Sequence, residues 1–171
     1  MPQVVVTNTK GLYQESGNGV QIKSQVEKIT NFYSNGYSAK TALFTAEAGY
    51  VYSAKHATGF AITLPTPTAG DRIKIIIGQA VTSGNMTIVS PSGYLLSGVI
   101  AIRDAADGST GLTNVFAPDG SNDRTITLNG TTTGGLGGDV IELVGVADGS
   151  TAGWWVEGVL QGSGTLATMF S

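Results

Sequence analysis

Glycine recurs 25 times in 171 residues, and the stretches between glycines are short and rich in Thr, Val and Ile. Thr, Val and Ile fit a pleated, half-buried surface, and glycine marks tight turns. The pattern predicts an all-β domain of many short strands. Disorder is the competing outcome for a Gly/Thr-rich chain with only 12% charged residues, but disorder goes with low hydrophobicity. Here 41% of residues are hydrophobic and the mean hydropathy is +0.13. The length suits one domain with a sizeable core.

Charge and composition narrow the function classes. Nine Lys+Arg against 12 Asp+Glu give a net charge of −3, which argues against nucleic acid, because phosphate binding rests on clustered positive charge. No apolar run reaches the roughly 18 residues of a membrane span. The opening MPQVVVTNTK lacks an apolar core segment, so no ordinary secretory signal is expected. The chain has no Cys, which excludes disulfides and thiolate chemistry. His56 is the one imidazole, so no multi-histidine metal site is expected, and no cofactor.

Residues 1–19 read either as an N-terminal arm or as a first strand. Gln3 to Thr7 have strand character, and Gly17-Asn18-Gly19 marks a turn or joint. Residues 20–32 carry two signals. Ser24-Gln25-Val26-Glu27 fits a helix capping box, whereas Val20, Ile22 and Val26 alternate with polar residues, and the β-branched content favours an extended strand. The division expected is an arm over 1–19 and a β-rich domain over 20–171, with 20–40 readable as an extension of the arm.

Further strands are predicted at Thr41–Phe44, Gly49–Tyr52, Phe60–Leu64, Arg72–Ile77, Met86–Val89, Val99–Ile102 and Gly153–Leu160. A weak repeat stands out. Ile62-Thr63-Leu64, five residues, then Gly70-Asp71-Arg72-Ile73-Lys74-Ile75 returns as Ile126-Thr127-Leu128, nine residues, then Gly138-Asp139-Val140-Ile141-Glu142-Leu143. The Asp after Gly suits a turn exit, where its carboxylate can accept backbone N–H groups. The repeat suggests one hairpin used twice, as in an antiparallel sandwich or a jelly roll. Residues 103–111 and 117–123 read as loops.

Chemistry is sparse. His56 has no nucleophile elbow to serve, because no Ser lies in G-x-S-x-G, and a loop role is expected. Asp119, Ser121 and Asp123 open like a calcium loop, but Arg124 and Gly130 stand where Gly and Glu are required, so an Asx turn is expected. Glu142 and Glu157 fall in strands expected to be adjacent and read as solvent-facing positions. Gly134-Gly135-Leu136-Gly137-Gly138 has no Lys and no following helix, so it is a hairpin tip and not a phosphate loop. Trp154 and Trp155 must face opposite sides of their strand. One belongs to a core, and the other to an oligomer interface in preference to a sugar-binding surface. The apolar tail residues Leu166, Met169 and Phe170 need cover, in an oligomer or from a partner.

Phe60-Ala61-Ile62-Thr63-Leu64-Pro65-Thr66-Pro67-Thr68-Ala69-Gly70 resembles a segment of small virion proteins of tailed bacteriophages, particularly cyanophages and other marine phages. The same holds for Arg124-Thr125-Ile126-Thr127-Leu128-Asn129-Gly130-Thr131-Thr132-Thr133-Gly134-Gly135, for Gly138 to Leu143 and for Gly153-Trp154-Trp155-Val156. The resemblance covers about residues 40–160. Related modules occur in capsid decoration (cement) proteins and in fibres, and the lack of a long repetitive shaft favours decoration. The resemblance implies a homotrimer on the capsid exterior that binds the major capsid protein and stabilises the shell, with no catalysis. It makes Val4, Val5, Val6, Leu12 and Tyr13 candidate capsid contacts on the arm. Trp154, Trp155, Leu166, Met169 and Phe170 become the candidate trimer interface. The alternative is a tail-fibre or carbohydrate-binding β module.

Overall fold

The computed structural model describes residues 4–7, 11–14, 36–105, 113–148 and 151–171. The chain divides into two compact units, Met1–Phe32 and Tyr33–Ser171. In the first, β1 (Val4–Thr7) pairs antiparallel with β2 (Gly11–Gln14), with Val5 opposite Tyr13 and Val6 opposite Leu12. The strand and the capping box expected over 20–32 lie outside the described residues.

The second unit is all-β among the described residues. Its strands are β3 (Gly36–Lys40), β4 (Phe44–Thr45), β5 (Tyr50–Lys55), β6 (Ala61–Thr63), β7 (Arg72–Gln79), β8 (Met86–Val89), β9 (Leu95–Asp104), β10 (Thr113–Phe116), β11 (Thr125–Leu128), β12 (Val140–Asp148) and β13 (Thr151–Gly162). They form a seven-stranded sheet in the order β10-β9-β13-β12-β7-β5-β3 and a four-stranded sheet in the order β11-β8-β6-β4.

From β3 to β8 the chain alternates between the two sheets, and each return runs parallel to the strand before it. β3, β5 and β7 are parallel in the large sheet, and β4, β6 and β8 in the small one. This is three turns of a flattened coil. β9 and β13 add another parallel pair, while β7, β12 and β13 run antiparallel in succession. The sheets are therefore mixed, which corrects the antiparallel architecture expected from sequence. Parallel neighbours need a crossover, and here the crossover is a strand of the opposite sheet instead of a helix.

The repeat is corrected in the same way. β6 lies in the small sheet and β7 in the large one, as do β11 and β12. Each copy is a connection between sheets and not a hairpin. The two copies meet where β7 pairs with β12, and their hydrogen bonds match about a local two-fold. Gly70 N–H donates to Gly145 O (2.9 Å) and Gly145 N–H to Asp71 O (2.8 Å). Gly138 N–H donates to Ile77 O (2.8 Å) and Ile77 N–H to Asp139 O (2.9 Å). Both glycines have positive φ, 87° and 97°, a conformation that L side chains rarely adopt. The Asp carboxylates act as the repeat predicts: Asp71 Oδ2 accepts from Thr68 N–H (3.0 Å) and Asp139 Oδ2 from Leu136 N–H (3.0 Å).

Strand alternation turns one face of each sheet inward. Ile73, Ile75 and Ile77 of β7 are buried with Ile141 and Leu143 of β12 and with Trp154, Val156 and Leu160 of β13. Ile62, Met86, Ile88, Ile126 and Leu128 of the small sheet join them in one hydrophobic core. Trp154 also ties the large sheet to the 64–71 connection, because its Nε1–H donates to Pro65 O (3.1 Å). Trp154→Phe removes that bond and leaves a void, so we expect a loss of about 2 kcal/mol in chemical denaturation.

One loop assignment and one strand assignment also change. Arg103 and Asp104, predicted to open a loop over 103–111, belong to β9: Arg103 pairs with both β13 and β10 and Asp104 with β13, while residues 106–112 lie outside the described residues. Residues 41–43 lie outside β4, which begins at Phe44.

Candidate functional site

The outer face of the large sheet collects the side chains that alternation turns away from the core. One row across the strands runs Val51, Lys74, Glu142, Glu157, Val99. The next runs Ile76, Val140, Val159, Ala101, Val115. On the other side of the first row lie Arg72, Val144, Trp155 and Ser97. An outer face this apolar is unusual for a solvated sheet, where polar residues normally alternate with the buried set. Val159 is 68% exposed, Val115 63%, Val99 47% and Trp155 37%. Contiguous exposed apolar surface marks an interaction site more often than scattered residues do.

Within this face lies a groove of about 390 Å³. Val99, Ala101, Val115, Val140 and Val159 line it, Gly158 forms part of its floor, and Glu142 and Glu157 edge it. The two carboxylates are direct cross-strand partners, an arrangement that repels. Lys74 relieves it from the third strand, with Nζ 2.7 Å from Glu142 Oε1. Both partners are about one-third exposed, so solvent screens the pair and its worth is at most about 1 kcal/mol. Lys74→Met should therefore shift the unfolding midpoint only slightly, which a urea titration would read.

The sequence placed Glu142 and Glu157 on adjacent strands facing solvent, and both are so placed. It did not find the valines around them. Val140 and Val159 share a face with Glu142 and Glu157 by alternation, but only the register of four strands brings them together with Val99 and Val115.

The residues singled out for assembly separate. Trp154 is fully buried, Met169 is 1% exposed and Phe170 6%. All three pack in the core of their own chain, with Leu166 half-buried against it. The C-terminal segment runs along β11: Thr127 N–H donates to Met169 O, Ser171 N–H to Thr125 O and Thr125 N–H to Ser171 O. This segment lines the β11 edge of the small sheet, so the apolar tail is covered by the chain itself. Trp155 alone of the five lies on the exposed face. Val4, Val5 and Val6 lie on β1, and Leu12 and Tyr13 on β2, in the separate first unit.

The remaining polar constellations are turns. Asp119 Oδ1 accepts from Ser121 N–H (2.7 Å) and Asn122 N–H (3.1 Å), and Asp123 Oδ2 from Asp119 N–H (2.7 Å). Those two donors hold the Asp119 carboxyl below its usual value. His56 is exposed, its Nδ1 2.7 Å from Thr58 Oγ1. Among the described residues no three His, Cys, Asp or Glu side chains gather in a metal-binding group. No protein family, curated protein or solved structure matches the chain.

Proposed function

We propose that this chain is a structural virion protein: a homotrimeric decoration protein that binds the major capsid protein on the outside of a phage capsid and stabilises the shell. The observation that carries this reading is the exposed valine and tryptophan face on a β body separate from the unit that holds the β1–β2 hairpin. An assembly protein needs one surface for its own copies and another for the lattice, and a division into two units is compatible with that need. The resemblance of the Phe60–Gly70 and Arg124–Gly135 segments to phage virion proteins supports the same reading. A ligand that binds only the assembled shell stabilises it by mass action. Three linked copies turn weak contacts into high avidity through effective concentration.

The test is pelleting of the protein with expanded capsids of tailed phages. Saturable co-pelleting, lost when residues 1–19 are deleted, is the expected result. Protein that stays in the supernatant with every capsid overturns the reading. One observation favours the alternative of a carbohydrate-binding module: Trp155 is two residues from Glu157 on the same exposed face, a ring beside a carboxylate. Quenching of tryptophan fluorescence by oligosaccharides, with no capsid binding, would select it.

A further inference from the structure

We propose that the valine groove is one half of a contact between copies of this chain, and that the other half is the β3 edge of the next copy. The inference rests on the oligomeric part of the reading above and names its interface.

The groove lies over β12, β13, β9 and β10, towards one edge of the large sheet. It is apolar, and its charges do not balance. Glu142 is held by Lys74, whereas Glu157 has no ion pair among the described residues. An unpaired carboxylate beside exposed valines becomes costly once water is excluded, so whatever covers the groove must bring a cation.

The opposite edge of the same sheet has the complementary pattern. Tyr37 on β3 is 62% exposed, and Leu43, in the connection to β4, is 77% exposed. Tyr37 pairs with Val51 of β5; Ser53, two residues on, is buried, and Lys55 follows across a shift in register between Ala54 and Lys55. Both reach over Gly78, where an added Cβ would meet Ser53 Oγ and Lys55 Cγ. Lys55 is exposed and has no ion pair among the described residues. One edge therefore offers apolar side chains with a spare cation, and the other an apolar groove with a spare carboxylate.

Two different patches at opposite edges make a heterologous contact, and heterologous contacts generate rings when the rotation closes. Across the sheet Glu157 on β13 and Lys55 on β5 are three strand spacings apart, roughly 14 Å, and Tyr37 on β3 is one strand further. A two-fold contact of the groove with itself would enclose two unpaired Glu157 carboxylates together, which disfavours that arrangement.

Light scattering after size exclusion tests this on the full chain and on Val159→Asp, Glu157→Lys, Lys55→Glu and the double charge swap. The native chain is expected near three times 17.5 kDa. Each single charge reversal should raise the dissociation constant roughly tenfold or more, and the double swap should restore association. Val159→Asp should give a monomer with an unchanged β-sheet circular dichroism spectrum, because Val159 is outside the core. A trimer that survives Val159→Asp, or a double swap that restores nothing, overturns this interface and leaves the homotrimer standing. A native monomer at every concentration overturns both. Capsid pelleting reads the virion reading independently of either result.

Discussion

Gly98→Val should leave the β body largely unfolded at room temperature, with the loss read by circular dichroism and by a collapsed urea midpoint. Gly98 lies within β9 at φ +105°, where a β-branched residue is a genuine outlier. It also faces the backbone of β13 directly. A Cβ built there would sit 2.1 Å from Val156 O and 2.9 Å from Val156 N. Neither atom can move aside like the end of a flexible side chain. Val156 belongs to a strand held on both sides, by β12 and by β9, and its side chain is fully buried. Relief requires β9 to separate from β13. Backbone strain and lost pairing together should cost more than about 4 kcal/mol, the range in which point substitutions become diagnostic. A domain of this size has about 5–15 kcal/mol in all.

Asp139→Ala is the second large effect. The Asp139 side chain lies in a residue only 1% exposed and accepts three backbone hydrogen bonds. Oδ2 takes Gly135 N–H (2.8 Å) and Leu136 N–H (3.0 Å), and Oδ1 takes Gln161 N–H (2.8 Å). The carboxylate thereby ties the glycine-rich 134–138 turn to β13. Its removal strands three donors, each worth about 1–3 kcal/mol when buried without a partner. Allowing for relaxation, the expected loss is about 3–5 kcal/mol. Asp71, its counterpart in the repeat, accepts one such bond from an exposed turn, so Asp71→Ala should cost only about 1 kcal/mol. Paired denaturation curves give the comparison.

The same carboxyl sets a pH dependence. Burial pushes Asp139 above its usual value, outweighing the three N–H groups that pull it down. The folded chain therefore holds this proton more tightly than the unfolded one. The contribution to stability is complete below the unfolded value of about 3.9 and declines as the pH rises through the raised folded value. Relative to Asp139→Asn, the native chain should gain stability as the pH falls from neutral into the mildly acid range. A difference between the two that does not vary with pH would contradict this assignment.

The local pattern was more legible than the partnering. The Ile73, Ile75, Ile77 alternation marked the core face of β7, and the Gly-Asp pairs marked two equivalent turns. The parallel pairing was not legible. Alternation tells which side a residue faces and not which strand lies beside it. Parallel sheets usually announce themselves by helical crossovers and apolar runs buried on both faces. Here the crossovers are strands of the other sheet, so parallel and antiparallel strands carry the same half-polar pattern. The site was half legible for the same reason. Glu142 and Glu157 belong to consecutive strands, so a short connection implied their adjacency. Val99, Val115 and Val159 come together only through the non-local pairing of β9, β10 and β13. The tail's need for cover was plain in Met169 and Phe170, but the edge of β11 that supplies it was not.

The place of β13 between β9 and β12 has a consequence for how the chain is made. During synthesis β9 and β12 emerge before the strand that joins them. Until residue 162 has left the ribosome, each presents an open row of backbone donors and acceptors, with buried-face isoleucines and leucines beside it. Such edges are templates for pairing with other chains. The nascent body is thus most exposed to misassembly in the interval just before its last long strand arrives. Slowing that interval should lower the yield of folded protein, even for a sequence whose finished state is unchanged.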